Sequence, residues 1–215
     1  MTGFFVLSGY IMAHVYSETD FTKPANIWTY YLKRVAKIYP TYALATVTYF
    51  LFFRDFTTSE HARILVNDLF LVQGFFPSMF KLGINGGTWS LTVEMFLYLL
   101  FPLVMTWSGK SPRIAIAGVI LSIIVSFNAS LERADPIYAN PVFRLADFIC
   151  GVGFYFGGTK IGSHRNSYLH LVTVLLLIIA CVYLGKDKYQ YMRGQFVVVP
   201  LFALWIVLAH RSSVL

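Results

Sequence analysis

Three polar side chains recur at helical spacing inside one of the most apolar stretches of the chain. Ser90, Glu94 and Tyr98 stand at positions i, i+4 and i+8 of residues 89–102, so they share one face of a helix. A carboxylate at membrane depth costs about 2.5–3.5 kcal/mol on insertion scales, which favours a functional reason for its presence. The pattern predicts Glu94 and Ser90 as supporting catalytic residues, with Trp89 and Tyr98 lining a polar cavity. A hydrogen bond between helices is the alternative role for Glu94.

Two cations, Arg34 and Lys37, stand three residues apart immediately before Ile38, Tyr39 and Pro40. At the start of a helix this spacing places both on one face, where they could bind the phosphates of a ligand. The alternative is a basic anchor that sets membrane orientation.

A second charged pair, Arg144 and Asp147, also has a spacing of three, shortly after Pro141. Mutual neutralisation lowers the cost of inserting both charges, so a structural ion pair is the first interpretation. A contact with substrate in the same cavity as Glu94 is the second.

The composition is that of a polytopic membrane protein. Hydrophobic residues make up 57% of the 215 residues and charged residues 13%, against about 25% charged in soluble domains, and the mean hydropathy is +0.64. The net charge of +7 comes from Lys and Arg between apolar runs, where they set orientation, and does not indicate nucleic-acid binding. Cys150 and Cys181 lie in apolar runs, with neither disulfide nor metal-ligand spacing, and are predicted to be packing residues.

Seven apolar runs are candidate membrane spans, each compared with the ~20 residues that cross a hydrocarbon core. Residues 64–80 are interrupted by Asn67, Asp68, Gly74 and Pro77, and we expect an interfacial or re-entrant segment there. The basic cluster of Lys33, Arg34 and Lys37 favours a cytosolic location for residues 16–37. The predicted spans are residues 3–16, 38–53, 88–107, 114–127, 142–156, 169–184 and 196–209.

Four stretches together resemble the integral-membrane acyltransferase-3 family, which O-acylates sugars and other cell-surface or secreted molecules. They are GFFVLSGYIM at residues 3–12, YLKRVAKIYPTY at 31–42, WSLTVEMFLYLLFP at 89–102 and NPVFRLADFICG at 140–151. One departure is Lys37, where the family pattern has a second arginine; lysine keeps the charge but lacks the planar guanidinium group.

The resemblance implies an all-α transmembrane helix bundle of ten spans, of which residues 1–215 would form a single acyltransferase domain lacking the first helix and the C-terminal helices. It implies transfer of an acyl group, most simply acetyl, from acyl-CoA to a hydroxyl of a carbohydrate. Arg34 and Lys37 would bind the donor, and a histidine of the first helix would be the general base. No bound cofactor or metal is expected, and the expected location is the lipid bilayer of a bacterial inner membrane. The alternatives are a transporter or flippase of a polar lipid-linked sugar and a non-catalytic membrane fragment.

Overall fold

The computed structural model describes residues 1–53, 59–76, 88–108, 110–131, 139–158, 167–184 and 194–212. All regular secondary structure in these ranges is helical, which confirms the predicted all-α class. The α-helices are α1 (Thr2–Val15), α2 (Pro24–Phe53), α3 (Ser59–Leu69), α4 (Trp89–Ser108), α5 (Ile114–Leu131), α6 (Pro141–Gly158), α7 (Ser167–Leu184) and α8 (Gln195–Ser212), and a short 3₁₀ helix covers Gln73–Phe75.

The chain divides into two compact units. The first, here the α1/α6 unit, contains residues 1–19, 104–138 and 142–215, and the second, the α2/α4 unit, contains residues 20–103 and 139–141. The predicted site residues of α2 and α4 therefore lie in the α2/α4 unit, whereas Arg144 and Asp147 lie in the α1/α6 unit. The expectation of a single domain stays a prediction.

Glycines allow α6 to approach its neighbours closely within the α1/α6 unit. A Cβ added at Gly151 would lie 2.0 Å from the carbonyl oxygen of Val6 in α1. On the opposite strip of α6, a Cβ added at Gly153 would lie 2.2 Å from the backbone nitrogen of Ala115 in α5. Contacts this short leave no room for a side chain at either glycine. The backbone of α6 therefore packs directly against α1 on one side and against α5 on the other.

Helix α8 completes the core of this unit by packing against α1, α5 and α7. A buried apolar cluster joins Val6 and Tyr10 of α1, Cys150 of α6 and Val199 of α8. Cys150 is thus the packing residue that the sequence predicted. The same prediction is wrong for Cys181, which is exposed on α7.

In the α2/α4 unit, helix α2 begins at Pro24, fourteen residues before the predicted start of the second span. Proline suits the first helical position because its missing N–H has no helical partner there. The helix then continues through Pro40. Arg34 and Lys37 consequently lie well inside a helix, and the prediction that they mark its start is wrong.

The interrupted segment after α2 forms a short helix and a 3₁₀ turn. Helix α3 has 11 residues, which rise about 16 Å at 1.5 Å per residue, roughly half of a ~30 Å hydrocarbon core. Leu71 follows it with a φ of 56°. The described part of this segment is therefore too short to cross a bilayer as one helix, and its last four residues, 77–80, lie outside the described ranges.

Among the described residues, α4 is the one helix that is both long and apolar enough to cross a membrane, with 20 residues and a mean hydropathy of 1.5. Shorter apolar helices cover Thr2–Val15, Ile114–Asn128, Tyr168–Leu184 and Gln195–Ala209. For six of the seven predicted spans, both ends lie within four residues of the corresponding ends of a helix. The number of spans stays a prediction.

Candidate functional site

The α2/α4 unit brings together the basic cluster and the polar face of α4, which are 60 residues apart in the chain. The guanidinium carbon of Arg34 lies 5.4 Å from the centroid of the Tyr98 ring and 5.7 Å from that of Tyr30. The hydroxyl of Tyr98 donates a hydrogen bond to Oε1 of Glu94. Arg34, Tyr98 and Glu94 therefore form a connected series of a cation, an aromatic ring and a carboxylate.

Two further tyrosines of α2 hold this arrangement in register. The Tyr30 hydroxyl donates to the carbonyl oxygen of Tyr98 at 3.0 Å, and the Tyr31 hydroxyl donates to that of Leu99 at 2.7 Å. Burial raises the pKa of Tyr31 above its ordinary value, so its phenol remains a donor. Because Pro102 has no N–H to bond the carbonyl oxygen of Tyr98 within the helix, the bond from Tyr30 satisfies that oxygen.

The other predicted residues of this unit differ in exposure. Trp89 is buried, whereas Ser90 and Glu94 are half-buried one turn apart in the first part of α4. Arg34 is half-buried against the tyrosines, but Lys37 is exposed. The two cations thus have different surroundings, and of the two it is Arg34 that contacts the α4 residues.

In the α1/α6 unit, Arg144 and Asp147 are both fully buried, at 0% exposure. Nη1 of Arg144 lies 3.3 Å from Oδ2 of Asp147 and donates to Oγ1 of Thr2 at 3.1 Å. Gln195 of α8 contacts the same Thr2 oxygen at 3.5 Å. This network links α1, α6 and α8, which supports the structural interpretation of the pair. Whether it also shapes a substrate cavity stays a prediction.

A buried polar cluster in the α2/α4 unit was not anticipated as a site. Gln73 is 2% exposed, and its Nε2 donates to the Tyr42 hydroxyl at 3.1 Å and to the Thr88 carbonyl oxygen at 3.4 Å. Tyr42 in turn donates to the carbonyl oxygen of Asp68 at 2.8 Å. These bonds connect α2, the end of α3 and the residue immediately before α4, so they fix where α4 begins.

Chemically, the Arg34–Tyr98–Glu94 series offers an anion-binding group close to a carboxylate that can accept or orient a proton. Within the ranges that the structure describes, no three His, Cys, Asp or Glu side chains are grouped to hold a metal ion.

Comparison with known proteins gives one family and several relatives. The acyltransferase-3 family model, described as an acyltransferase domain, matches residues 1–213. The acyltransferase MdmB of Streptomyces mycarofaciens is 31% identical over 175 residues, covering 69% of this chain and 43% of that protein. ORF330 of Acidianus two-tailed virus, whose name proposes an acetyltransferase, is 29% identical over 163 residues, covering 69% of this chain and 47% of that protein.

An uncharacterized protein of Haemophilus influenzae is 22% identical over 239 residues, covering 98% of this chain and 97% of that protein. No solved structure matches the chain. The matches to the Streptomyces and viral proteins span less than half of each. Since the family model covers nearly the whole sequence, the chain belongs to the acyltransferase-3 family.

Proposed function

We propose that this protein transfers an acyl group, most simply acetyl, from acyl-CoA to a hydroxyl of a cell-surface or secreted carbohydrate. In the reaction the hydroxyl oxygen attacks the thioester carbonyl, the carbon–sulfur bond breaks, and the CoA thiolate leaves and takes up the proton lost by the hydroxyl. The names of the Streptomyces and viral relatives support acyl transfer. The donor and the acceptor are inferred from the chemistry of the site and the family resemblance.

The observation that carries the proposal is the contact of Arg34 with Tyr98 and of Tyr98 with Glu94. A cation stacked on a ring is held in one orientation, which suits it to binding a phosphate or a thioester carbonyl oxygen. The Glu94 carboxylate, which accepts a hydrogen bond from the hydroxyl of the same tyrosine, can orient an acceptor hydroxyl. The Tyr98 side chain thus contacts both Arg34, which could bind the donor, and Glu94, which could orient the acceptor.

We assign roles accordingly. Arg34 binds the donor, and Lys37, which is exposed, contributes charge toward its phosphates. Glu94, with Ser90 one turn before it, supports the acceptor, and Trp89 and Tyr98 line the site. The general base is a histidine, as the family resemblance implies.

We propose a multi-pass location in a bacterial inner membrane for the same protein. Support comes from the span-length apolar helix α4 and the four shorter apolar helices. Exposed apolar side chains on α7, such as Leu175, Ile179 and Val182, fit a surface against lipid.

The test measures transfer of radiolabelled acetyl from acetyl-CoA to candidate glycans by membranes that contain the natural gene product. Arg34→Ala should abolish transfer while leaving the amount of inserted protein unchanged, because the side chain is only half-buried. Arg34→Lys should recover part of the activity, since it restores charge without the planar group. Lys33→Ala removes an exposed charge from the neighbouring position and is the matched control. Full activity in Arg34→Ala would refute the donor-site assignment.

A further inference from the structure

Tyr30 of α2 contacts the Arg34–Tyr98–Glu94 series at two points, although the proposed function assigns it no role. Its ring centroid lies 5.7 Å from the guanidinium carbon of Arg34, and its hydroxyl donates to the carbonyl oxygen of Tyr98 at 3.0 Å. Arg34 follows Tyr30 by four residues, so both side chains lie on one face of α2. One side chain of α2 therefore contacts the cation and also the backbone of the residue whose ring contacts that cation.

Two buried phenylalanine rings hold the Tyr30 ring in place. Tyr30 is 1% exposed, and its ring centroid lies 5.5 Å from that of Phe21 and 5.6 Å from that of Phe101. The centroids of the two phenylalanine rings are themselves 5.6 Å apart. Aromatic rings at these separations attract one another. The Tyr30 ring thus has a well-packed position, from which its hydroxyl reaches α4.

The carbonyl group that Tyr30 binds is the one that Pro102 leaves without its helical donor. In an α-helix the carbonyl oxygen of residue i accepts from the N–H of residue i+4. For Tyr98 that residue is Pro102, which has no N–H and whose ring also displaces the carbonyl group four residues before it. The Tyr30 hydroxyl therefore replaces a bond that α4 cannot make by itself.

The neighbouring Tyr31 makes the same kind of bond to a carbonyl group that has a helical donor. Its hydroxyl donates to the carbonyl oxygen of Leu99 at 2.7 Å. Four residues after Leu99 comes Leu103, which lies within α4 and has an N–H that the helix directs to this oxygen. Of the two tyrosine bonds, it is therefore the one from Tyr30 that replaces a missing helical bond.

We infer that Tyr30 is a positioning residue for the arginine that binds the donor. Its ring orients the Arg34 guanidinium group directly. Its hydroxyl holds the backbone of α4 at Tyr98, whose ring centroid lies 5.4 Å from the same guanidinium carbon. A guanidinium group binds phosphate or carbonyl oxygens through a planar set of donors, so its orientation affects how tightly the donor binds. This inference rests on the proposed function, because it takes Arg34 as the group that binds the donor.

The first experiment measures KM and kcat for acetyl-CoA in membranes that contain the natural gene product. Tyr30→Phe keeps the ring and removes the hydroxyl, so it should raise KM about fivefold, as expected for the loss of one hydrogen bond, with kcat within about twofold of the natural value. Tyr31→Phe removes a hydroxyl from the adjacent position and is the matched control, with KM changed by less than about twofold. Equal effects of the two variants on KM would overturn the inference.

A second comparison determines whether Tyr30 acts through Arg34. Lysine at position 34 keeps the charge but has no planar group to orient. In the Arg34→Lys background, Tyr30→Phe should therefore change KM by less than about twofold. A general loosening of the fold would raise KM by the same factor in both backgrounds, and that result would contradict a positioning role.

Thermal unfolding in detergent tests the bond to Tyr98 independently of activity. Pro102→Ala supplies the missing N–H, so the Tyr98 carbonyl oxygen no longer depends on the Tyr30 hydroxyl. Tyr30→Phe should lower Tm by about 2–6 °C in the natural protein and by less than about 1 °C in the Pro102→Ala background. Equal decreases in the two backgrounds would mean that the hydroxyl does not replace the absent donor, and the inference would fail.

The outcomes separate this inference from the proposed function. If the natural protein does not transfer acetyl from acetyl-CoA, the proposed function fails and the positioning role fails with it. If transfer occurs and requires Arg34, but Tyr30→Phe leaves KM for acetyl-CoA unchanged, the inference alone is overturned.

Discussion

Removal of the Asp147 charge should strongly destabilise the α1/α6 unit. Arg144 and Asp147 are both 0% exposed, with their charged atoms 3.3 Å apart, so Asp147→Asn leaves a guanidinium group in the core without its carboxylate. Breaking a buried pair in this way costs about 3–5 kcal/mol. Thr2 still accepts from Arg144 at 3.1 Å, but a neutral hydroxyl does not replace the lost charge.

The second variant removes both charges. Replacing a buried ion pair with uncharged side chains is often neutral or stabilising, so Arg144→Met combined with Asp147→Asn should be more stable than Asp147→Asn alone. If the two residues contributed to stability independently, the losses from the two substitutions would add, and the double variant would be the less stable one. A double variant that is more stable than Asp147→Asn therefore indicates a buried ion pair.

The assay is thermal unfolding of the natural gene product in detergent, followed by the loss of its monodisperse gel-filtration peak. For a chain of this size, 1 kcal/mol corresponds to a Tm change of about 2–4 °C, so Asp147→Asn should lower Tm by about 6–20 °C. A decrease below about 2 °C would refute the reasoning, since it would mean that Arg144 is already hydrated. The interpretation of the pair as a substrate contact would then be favoured.

Two further pairs of variants test the packing, one pair in each unit. Gly151→Ala should cost about 1–3 kcal/mol of stability, because its Cβ would lie 2.0 Å from a carbonyl oxygen of α1; Gly157→Ala, whose Cβ would meet nothing nearer than 3.7 Å, should be neutral or stabilising by up to ~1 kcal/mol. Equal Tm values for the two glycine variants would contradict the close contact. Gln73→Leu and Tyr42→Phe should each cost about 1 kcal/mol but together less than the sum, because they share one hydrogen bond; strict additivity in the same assay would exclude that bond.

Much of the fold was predictable because apolar runs determine where helices form. The predicted span over residues 142–156 begins one residue after the start of α6 at Pro141, and proline is common at the first position of a helix. The start of α2 was missed because hydropathy identifies the part of a helix that is apolar, whereas this helix extends fourteen residues into a polar, basic sequence. Pro24 marked that start, but a proline alone does not distinguish a helix start from a turn.

The sequence predicted individual residues of the candidate site but not the contacts between residues of different helices. Helical periodicity placed Glu94 and Tyr98 on one face, and the structure joins them directly. Periodicity does not say which distant helix packs against that face, so the contact of Arg34 with Tyr98 could come only from tertiary structure. Arg34 and Lys37 illustrate the same limit, since equal charge and suitable spacing did not reveal that one is half-buried and the other exposed.

Gln73 and Asp68 show why the second polar cluster escaped sequence reasoning. Asp68 is one of the residues that predict no membrane span over residues 64–80, because polar groups are costly there, and Gln73 lies in the same segment. The structure resolves that cost differently: both side chains are more than 95% buried, and Gln73 bonds to Tyr42 and to the carbonyl oxygen that precedes α4. Gln73 of the interrupted segment therefore also holds α4 at its first turn, close to Ser90 and one turn before Glu94. The interrupted segment and the polar face of α4 are thus parts of one arrangement, in which the segment positions the helix that carries the carboxylate.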